Sequence, residues 1–222
     1  MTTERGHAMP RPFRRSARTV FLSAIAAGAA VGCSPFDRDA PSASHFMLAP
    51  PQQTAHAGAP LGSIVVRRVA VQRPFDSRGF VYRLSNGQWR TDSYNGFLAD
   101  PSDMVTDALA RALERSGRFA WVSPPTGTAP TDLAAETMVE SFHCDFSDPG
   151  QPVAIVRLRM YLLDRADSGV RMKALLDGAG TAPLADGSPR AVADALGIAV
   201  SIALDGVISQ LPQGAVPDSS GG

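Results

Sequence analysis

Three adjacent side chains, His143, Cys144 and Asp145, are of the types that bind metal ions in proteins. The segment around them has the character of a strand, so Cys144 should face the opposite side of a sheet from the other two. Two ligands without a third do not make a metal site. We therefore expect no metal here. Cys144 should pack in the core beside Phe142 and Phe146, while His143 and Asp145 face solvent.

Motifs for catalysis or cofactor binding are missing from the sequence. It contains neither the Gly-x-Ser-x-Gly of α/β-hydrolases nor the His-Glu-x-x-His of zinc proteases, and it has no P-loop. The run Gly178-Ala179-Gly180 lacks the third glycine of a dinucleotide fingerprint, and we interpret it as a loop. The other histidines, His7, His45 and His56, fall outside the predicted domain. We therefore predict a protein that is not an enzyme and needs no cofactor.

Aromatic side chains gather around one predicted hairpin and the start of the helix that follows it. Tyr82, Trp89, Tyr94 and Phe97 could form a recognition surface, because aromatic residues are enriched at protein interfaces. Ordinary cross-strand packing is the more common explanation of such a group. Arg83 could either contact a partner or close a salt bridge within the domain. Our candidate partner-binding residues are Tyr82, Arg83 and Trp89, because arginine and aromatic residues dominate interface hot spots.

The N-terminal segment has the parts of a bacterial export signal. A basic stretch with four arginines between residues 11 and 18 precedes the uncharged apolar run Val20–Val31. That run is too short to span a bilayer comfortably, which favours a signal sequence over a permanent transmembrane helix. We interpret residues 1–32 as a signal peptide for the general secretory route.

Cys33 ends this signal in a pattern of small residues. The run Ala30-Val31-Gly32-Cys33 resembles the lipobox of bacterial lipoproteins, in which the cysteine is acylated and becomes the first mature residue. A secretory signal with an accidental cysteine at its end is the alternative. Acyl chains on Cys33 would anchor a soluble domain to a bilayer surface, at roughly 0.8 kcal/mol for each buried methylene. Ser34 at the next position favours the outer membrane, and acylation of Cys33 would leave Cys144 without a disulfide partner.

Charge is distributed unevenly along the chain despite a formal net charge of zero. Residues 1–32 hold five of the 21 basic residues and one of the 21 acidic ones, so the remainder carries 16 basic against 20 acidic residues. That balance argues against nucleic acid as a partner. With 44% hydrophobic residues the chain is too apolar to be disordered throughout, and two cysteines are too few for a disulfide scaffold.

The first half of the mature chain reads as a tether followed by strands and one helix. Residues 33–61 are proline-rich and predict an extended tether. The β-branched run Ile64–Val71 predicts the first core strand. Asn86-Gly87 predicts a hairpin with a type I′ turn between residues 80–84 and 88–94. An N-cap and N1 proline at Asp100-Pro101 then predict a helix with one buried face that Gly117 closes.

The second half predicts long strands and a closing helix. Residues 133–146 and 152–164 read as strands, and the second alternates strictly, with Val156 and Leu158 facing the core and Arg157 facing out. A further strand covers residues 170–174. Ser188-Pro189 begins a helix that runs to about Leu211. It is apolar around much of its circumference, which either a homo-oligomer contact or a central packing position would explain.

These elements predict one α+β domain over residues 62–212, with two main helices packed on one face of a mostly antiparallel sheet. The signal peptide (residues 1–32) and the lipidated Cys33 with its tether (residues 33–61) precede it. We expect residues 213–222 to form a disordered tail.

The order of these features resembles the ABC-type transport auxiliary lipoproteins. Members typically have a Tyr-x-Leu near the start, an aliphatic strand, a strand ending in Tyr-Arg, a proline at a helix start and a closing alanine-rich helix. Phe46-Met47-Leu48 and Val81-Tyr82-Arg83 stand at the first and third of these places. Phe97-Leu98 departs from the usual Trp-Ala pair. The string Val81-Tyr82-Arg83 is a second reason to place Tyr82 and Arg83 on a partner-facing surface.

The resemblance implies a non-enzymatic envelope lipoprotein that moves lipids between the inner and outer membranes. Its partners would be an ABC transporter permease and ATPase and a substrate-binding protein of the mammalian-cell-entry type. A structural or regulatory envelope lipoprotein, such as a secretion-channel component or a cell-wall synthase activator, is the alternative. A lipid-anchored hydrolase is a third hypothesis that lacks a recognisable nucleophile and base.

Overall fold

The computed structural model describes residues 42–52, 55, 58–166 and 169–212. The predicted signal peptide, Cys33 and the predicted C-terminal tail lie outside these ranges. The described part contains two helices, α1 (Pro101–Ser116) and α2 (Pro189–Ser209), and nine strands. The strands are β1 (Ser44–Phe46), β2 (Ser63–Val66), β3 (Ala70–Val71), β4 (Gly79–Leu84), β5 (Trp89–Phe97), β6 (Trp121–Ser123), β7 (Leu133–Phe146), β8 (Val153–Ala166) and β9 (Gly169–Pro183).

Strand β7 organises the sheet. One edge of β7 pairs along most of its length with β8, and β8 pairs with β9, so these three strands form an antiparallel meander. The other edge of β7 pairs in succession with β2, β3 and β4, all parallel. Strand β5 joins β4 as an antiparallel hairpin, β1 pairs with β5, and β6 pairs with β2. The longest pairings are antiparallel, and the predicted α+β class is confirmed.

The register of β8 agrees with the alternation in its sequence. Val156 and Leu158 are buried beneath the helices, and Arg157 between them is exposed. Residues of one parity therefore face the core, while the other parity forms an outer sheet face that the helices do not cover. Arg157 belongs to this outer face.

Helix α1 begins and ends where local signals predict. Pro101 occupies the first turn, and Gly117 closes the helix with a φ of 68°. The Asp100 side chain makes no capping hydrogen bond. Its Oδ1 instead accepts a hydrogen bond from Arg78 Nε at 2.7 Å, which ties the start of the helix to the loop before β4.

Helix α2 is the central helix of the core. Ser188 caps it by accepting a hydrogen bond from the Ala191 amide, and the helix packs mainly on β8 and β9. By length and composition it could cross a membrane, yet 72% of its apolar 18-residue stretch is buried within the described fold. Only a narrow stripe that includes Ile198 and Ile202 is exposed. Central packing therefore explains its apolar circumference.

The run Gly178-Ala179-Gly180, which we interpreted as a loop, lies instead inside β9. A Cβ atom added to Gly178 would lie 2.2 Å from the carbonyl oxygen of Ala203, and one added to Gly180 would lie 1.9 Å from that of Ala199. The two glycines therefore let α2 approach the sheet backbone more closely than any side chain would allow. The interpretation as a loop was wrong because glycine serves here for close packing.

Besides the strand predicted over residues 170–174, which extends to Pro183, three further boundaries differ from the predictions. The run Ile64–Val71 forms two strands, because the chain leaves the sheet at Val69, whose amide donates to Thr106 Oγ1 at 2.9 Å. The hairpin is confirmed, but its turn is closed by a hydrogen bond that the Gly87 amide donates to the Leu84 carbonyl. Gly87 is therefore the last residue of the turn, and the two central residues are one position earlier than expected. Strand β1 also lies within residues 33–61, so the sheet begins inside the segment that we interpreted as a tether.

Candidate functional site

The hairpin of β4 and β5 places the three candidate partner-binding residues on two different faces. Arg83 and Trp89 are direct cross-strand partners, so their side chains lie on the same face of the sheet. Tyr82 neighbours Arg83 in β4 and therefore faces the opposite side. The structure brings Arg83 and Trp89 together and separates Tyr82 from them.

Tyr82 is held by contacts within the domain. Its hydroxyl donates a hydrogen bond to Asp92 Oδ2 at 3.1 Å, and its ring meets the ring of Phe146 edge-on at 5.6 Å. Burial of the phenol, together with the nearby Asp92 carboxylate, raises the pKa of Tyr82 well above its ordinary value. These contacts make Tyr82 part of the packing between β4, β5 and β7.

Arg83 forms an ion pair with its neighbour on β7. Its Nη1 lies 3.2 Å from Asp145 Oδ2, and the Asp145 side chain is only 14% exposed. Burial raises the pKa of Asp145, but hydrogen bonds from Ser147 and the positive charge of Arg83 outweigh it and hold that pKa below its ordinary value. The Asp145 carboxylate is therefore charged at neutral pH. Of the two roles that the sequence left open for Arg83, the salt bridge within the domain is present.

Trp89 stands over a buried histidine. Its ring meets the ring of His143 edge-on at 4.8 Å, and Phe75 stacks on the same imidazole at 5.4 Å. Trp89 remains 49% exposed, whereas His143 is only 5% exposed. The expectation that His143 faces solvent was wrong, because the segment between β3 and β4 carries Phe75 across the outer face of β7.

The environment of His143 keeps the imidazole neutral. Burial is the main cause that lowers its pKa, and the nearby guanidinium groups of Arg83 and Arg157 act in the same direction against the Asp145 carboxylate. His143 Nδ1 is also buried without a hydrogen-bond partner among the described residues. Protonation of this ring would therefore place a charge in a site that disfavours it.

Cys144 faces the core, as the alternation predicted. It is fully buried beside core residues that include Phe142, and burial raises the pKa of its thiol to about 12. Phe146 is partly buried against the same core. Within the described ranges, no three side chains of His, Cys, Asp or Glu come together as metal ligands would.

A pocket of about 310 Å³ opens on the outer sheet face beside Trp89. We call it the Trp89 pocket, and its lining includes Arg83, Trp89, His143, Asp145 and Arg157. The sequence indicated the outward direction of Arg157 through strand alternation. It did not indicate that Arg157 lies beside Trp89, because this depends on the pairing of β7 with both β4 and β8.

Known proteins share this fold. The family model for the ABC-type transport auxiliary lipoprotein component matches residues 46–205. The crystal structure of protein XCC0632 from Xanthomonas campestris, a DUF330 protein, is similar with a TM-score of 0.59 and 24% identity, over 74% of this chain and 97% of that one. An uncharacterized protein of known structure is similar with a TM-score of 0.58 and 12% identity, over 77% and 99% of the two chains. No curated protein matches this chain.

Proposed function

This chain belongs to the family of ABC-type transport auxiliary lipoprotein components, and from that premise we propose that it is a non-enzymatic accessory subunit of one such transport system. The family associates it with an ABC transport system and with the cell envelope. We propose a permease, an ATPase and a mammalian-cell-entry type substrate-binding protein as its partners. The cargo in this proposal is lipid that moves between the inner and outer membranes.

Attachment through Cys33 would hold the domain at a membrane surface facing the periplasm. In this proposal, acylation of Cys33 supplies the anchor. Ser34 favours the outer membrane. Cys33 lies outside the described residues, so its sequence context is the support for this part of the proposal.

We propose that the subunit works through protein contacts and does not carry lipid inside its core. The support is the packing of α2 on β9, where Gly178 and Gly180 bring the helix backbone against the strand backbone. Side chains that include Val156, Leu158 and Leu204 fill the adjoining space and are at most 2% exposed. An acyl chain between the helix and the sheet would have to displace this close-packed layer.

The exposure and packing of Trp89 are the main support for the proposed contact surface. A tryptophan that is 49% exposed, yet held in place by Phe75 and His143, has the properties of an interface anchor. Arg83 lies beside it, with its charge partly neutralised by Asp145. The proposed surface therefore consists of Arg83 and Trp89, and Tyr82 supports it from the other face of the hairpin.

Co-purification from detergent-solubilised envelopes tests this function. The full chain is purified with and without Trp89→Ala, and the permease, ATPase and mammalian-cell-entry type protein are measured in the eluate. Trp121→Ala is a matched control, because Trp121 is 42% exposed on β6, which pairs with β2 and not with the hairpin of β4 and β5. We expect Trp89→Ala to reduce recovery of the transporter at least tenfold and Trp121→Ala to leave it unchanged.

Two results would contradict the proposal. Equal recovery of the transporter with both variants would show that Trp89 does not contribute to the contact with the transporter. Recovery of a secretion channel or a cell-wall synthase in place of transporter proteins would assign the chain to the alternative class of envelope lipoproteins. A melting temperature measured for each variant separates lost contact from lost folding.

A further inference from the structure

The Trp89 pocket contains one cation that the described fold leaves unpaired. Glu140 Oε1 lies 3.1 Å from Arg159 Nη1, an arginine that also pairs with Asp177, and Asp145 Oδ2 lies 3.2 Å from Arg83 Nη1, so each carboxylate in the lining already has an arginine partner. Arg157 also lines the pocket but forms no ion pair with any residue in the described part of the chain. The lining as a whole holds three arginines (Arg73, Arg83 and Arg157) against two carboxylates (Glu140 and Asp145), so it carries a net positive charge.

We propose that this pocket receives an acidic side chain of a partner protein, with the carboxylate bound by Arg157 and the adjoining segment packed on Trp89. The inference rests on the proposed function, since it names the chemistry that the partner presents to the same surface. A guanidinium donates paired N–H groups to a carboxylate, which makes arginine well suited to this recognition.

The walls of the pocket strengthen such a contact. Phe75 and Trp89 cover one side, and Ile155 from β8 adds a third apolar side chain. His143 contacts both aromatic rings, which also contact each other, and contributes no competing positive charge. An ion pair beside these apolar groups is less screened by water than one on an open surface.

The dimensions of the pocket favour a side chain over a lipid. Its volume of about 310 Å³ accommodates one or two side chains. Its apolar lining consists of Phe75, Trp89 and Ile155, surrounded by charged and polar groups such as Gln72 and Arg73. An acyl chain would need a longer apolar surface than these three residues offer, whereas a carboxylate with one apolar neighbour fits both the charge and the size.

Charge reversal at two arginines in the full chain tests the proposal. Arg157→Glu removes the unpaired cation from the pocket. Arg90→Glu makes the same change in net charge on β5, next to Trp89 in sequence but on the opposite face of the hairpin. We expect Arg157→Glu to lower co-purification of the transporter at least tenfold and Arg90→Glu to leave it unchanged, with both proteins retaining the wild-type melting temperature. If Arg157→Glu lowers the melting temperature, Arg157→Gln takes its place in the test. It removes the positive charge without adding a negative one and should give the same loss of co-purification.

A direct binding measurement uses Trp89 as the reporter. Trp121→Phe leaves Trp89 as the only tryptophan of the chain, so its fluorescence reports on the pocket. The probes are an acetylated hexaglutamate peptide, a hexalysine peptide and phosphatidylglycerol vesicles, each titrated at low ionic strength. We expect a saturable change in Trp89 fluorescence with hexaglutamate and none with the other two probes. Arg157→Glu should weaken the affinity for hexaglutamate at least tenfold.

The outcomes distinguish this inference from the proposed function. Transporter recovery that depends on Trp89 but is unaffected by Arg157→Glu and Arg157→Gln would overturn the acidic partner and leave the function standing. A response of Trp89 to anionic vesicles but not to hexaglutamate would overturn it in favour of a membrane surface. Absence of transporter proteins from the eluate of the wild-type chain would count against the function itself.

Discussion

At the residue scale, His143 shows how burial determines the chemistry of a titratable group. It packs against both Phe75 and Trp89, close to Arg83, Arg157 and Asp145, and its pKa is lowered mainly by burial. The folded protein therefore keeps the ring neutral at a pH where the unfolded chain, near the ordinary value of 6.5, takes up a proton.

This difference predicts that stability falls as the pH drops. The contribution of His143 is fully present above pH 6.5 and is lost as the pH falls through 6.5 towards the lower folded-state pKa. His143→Phe preserves an aromatic ring against Phe75 and Trp89 but cannot bind a proton. We expect its melting temperature to decrease less than that of the wild type between pH 7 and pH 5, measured by circular dichroism. His45→Phe changes an exposed histidine on β1 and should keep the wild-type dependence, whereas equal slopes for all three proteins would contradict this account.

At the element scale, β8 separates the core from the outer face within a few residues. Val156 is fully buried and Arg157 is exposed. Val156→Asp should lower the free energy of unfolding by about 3 kcal/mol or more, because it buries an unpaired carboxylate. Arg157→Ala should change it by less than about 0.5 kcal/mol, as is usual for an exposed side chain. Urea denaturation measures both, and similar losses for the two variants would mean that the register of β8 is different.

The contact between β9 and α2 gives a second test at this scale. Gly180→Ala places a methyl group against the Ala199 carbonyl, so the helix must shift, and we expect a loss of about 3 kcal/mol, the upper end of the usual cost of overpacking. Gly187→Ala is the control, because a Cβ there meets no atom within 4 Å and should have little effect. Thermal unfolding of the two variants measures the difference. A Gly180→Ala protein as stable as the control would show that α2 does not approach β9 so closely.

At the scale of the whole molecule, anchoring and folding should be independent. Strand β1 begins at Ser44, and Cys33 precedes every element of the described sheet. Cys33→Ser should therefore release the protein from the membrane fraction while its melting temperature stays unchanged. Fractionation with and without globomycin, which blocks cleavage of lipoprotein signals, measures this. Membrane association that persists in the variant, with no precursor accumulating in treated cells, would contradict the lipid anchor.

The elements with local signals could be predicted from the sequence alone. Pro101 and Gly117 delimit α1, and Ser188-Pro189 begins α2, because caps and prolines act on backbone groups within one turn. The alternation in β8 indicates its buried face for the same reason, since successive side chains of any strand point to opposite sides. The α+β class follows from these elements together.

The candidate site depends on contacts between distant parts of the chain, and only the tertiary structure decided it. Phe75 covers His143 because β3 and β4 pair with different parts of β7, and Arg157 lines the same pocket as Trp89 because β8 pairs with the other edge of that strand. The same holds for Gly178 and Gly180. Their sequence alone resembles a loop, and only the packing of α2 against them shows why glycine is needed in the strand. Local sequence determines how each segment folds, whereas the choice of strand neighbours depends on the burial of the whole core. That choice determined which side chains share the pocket.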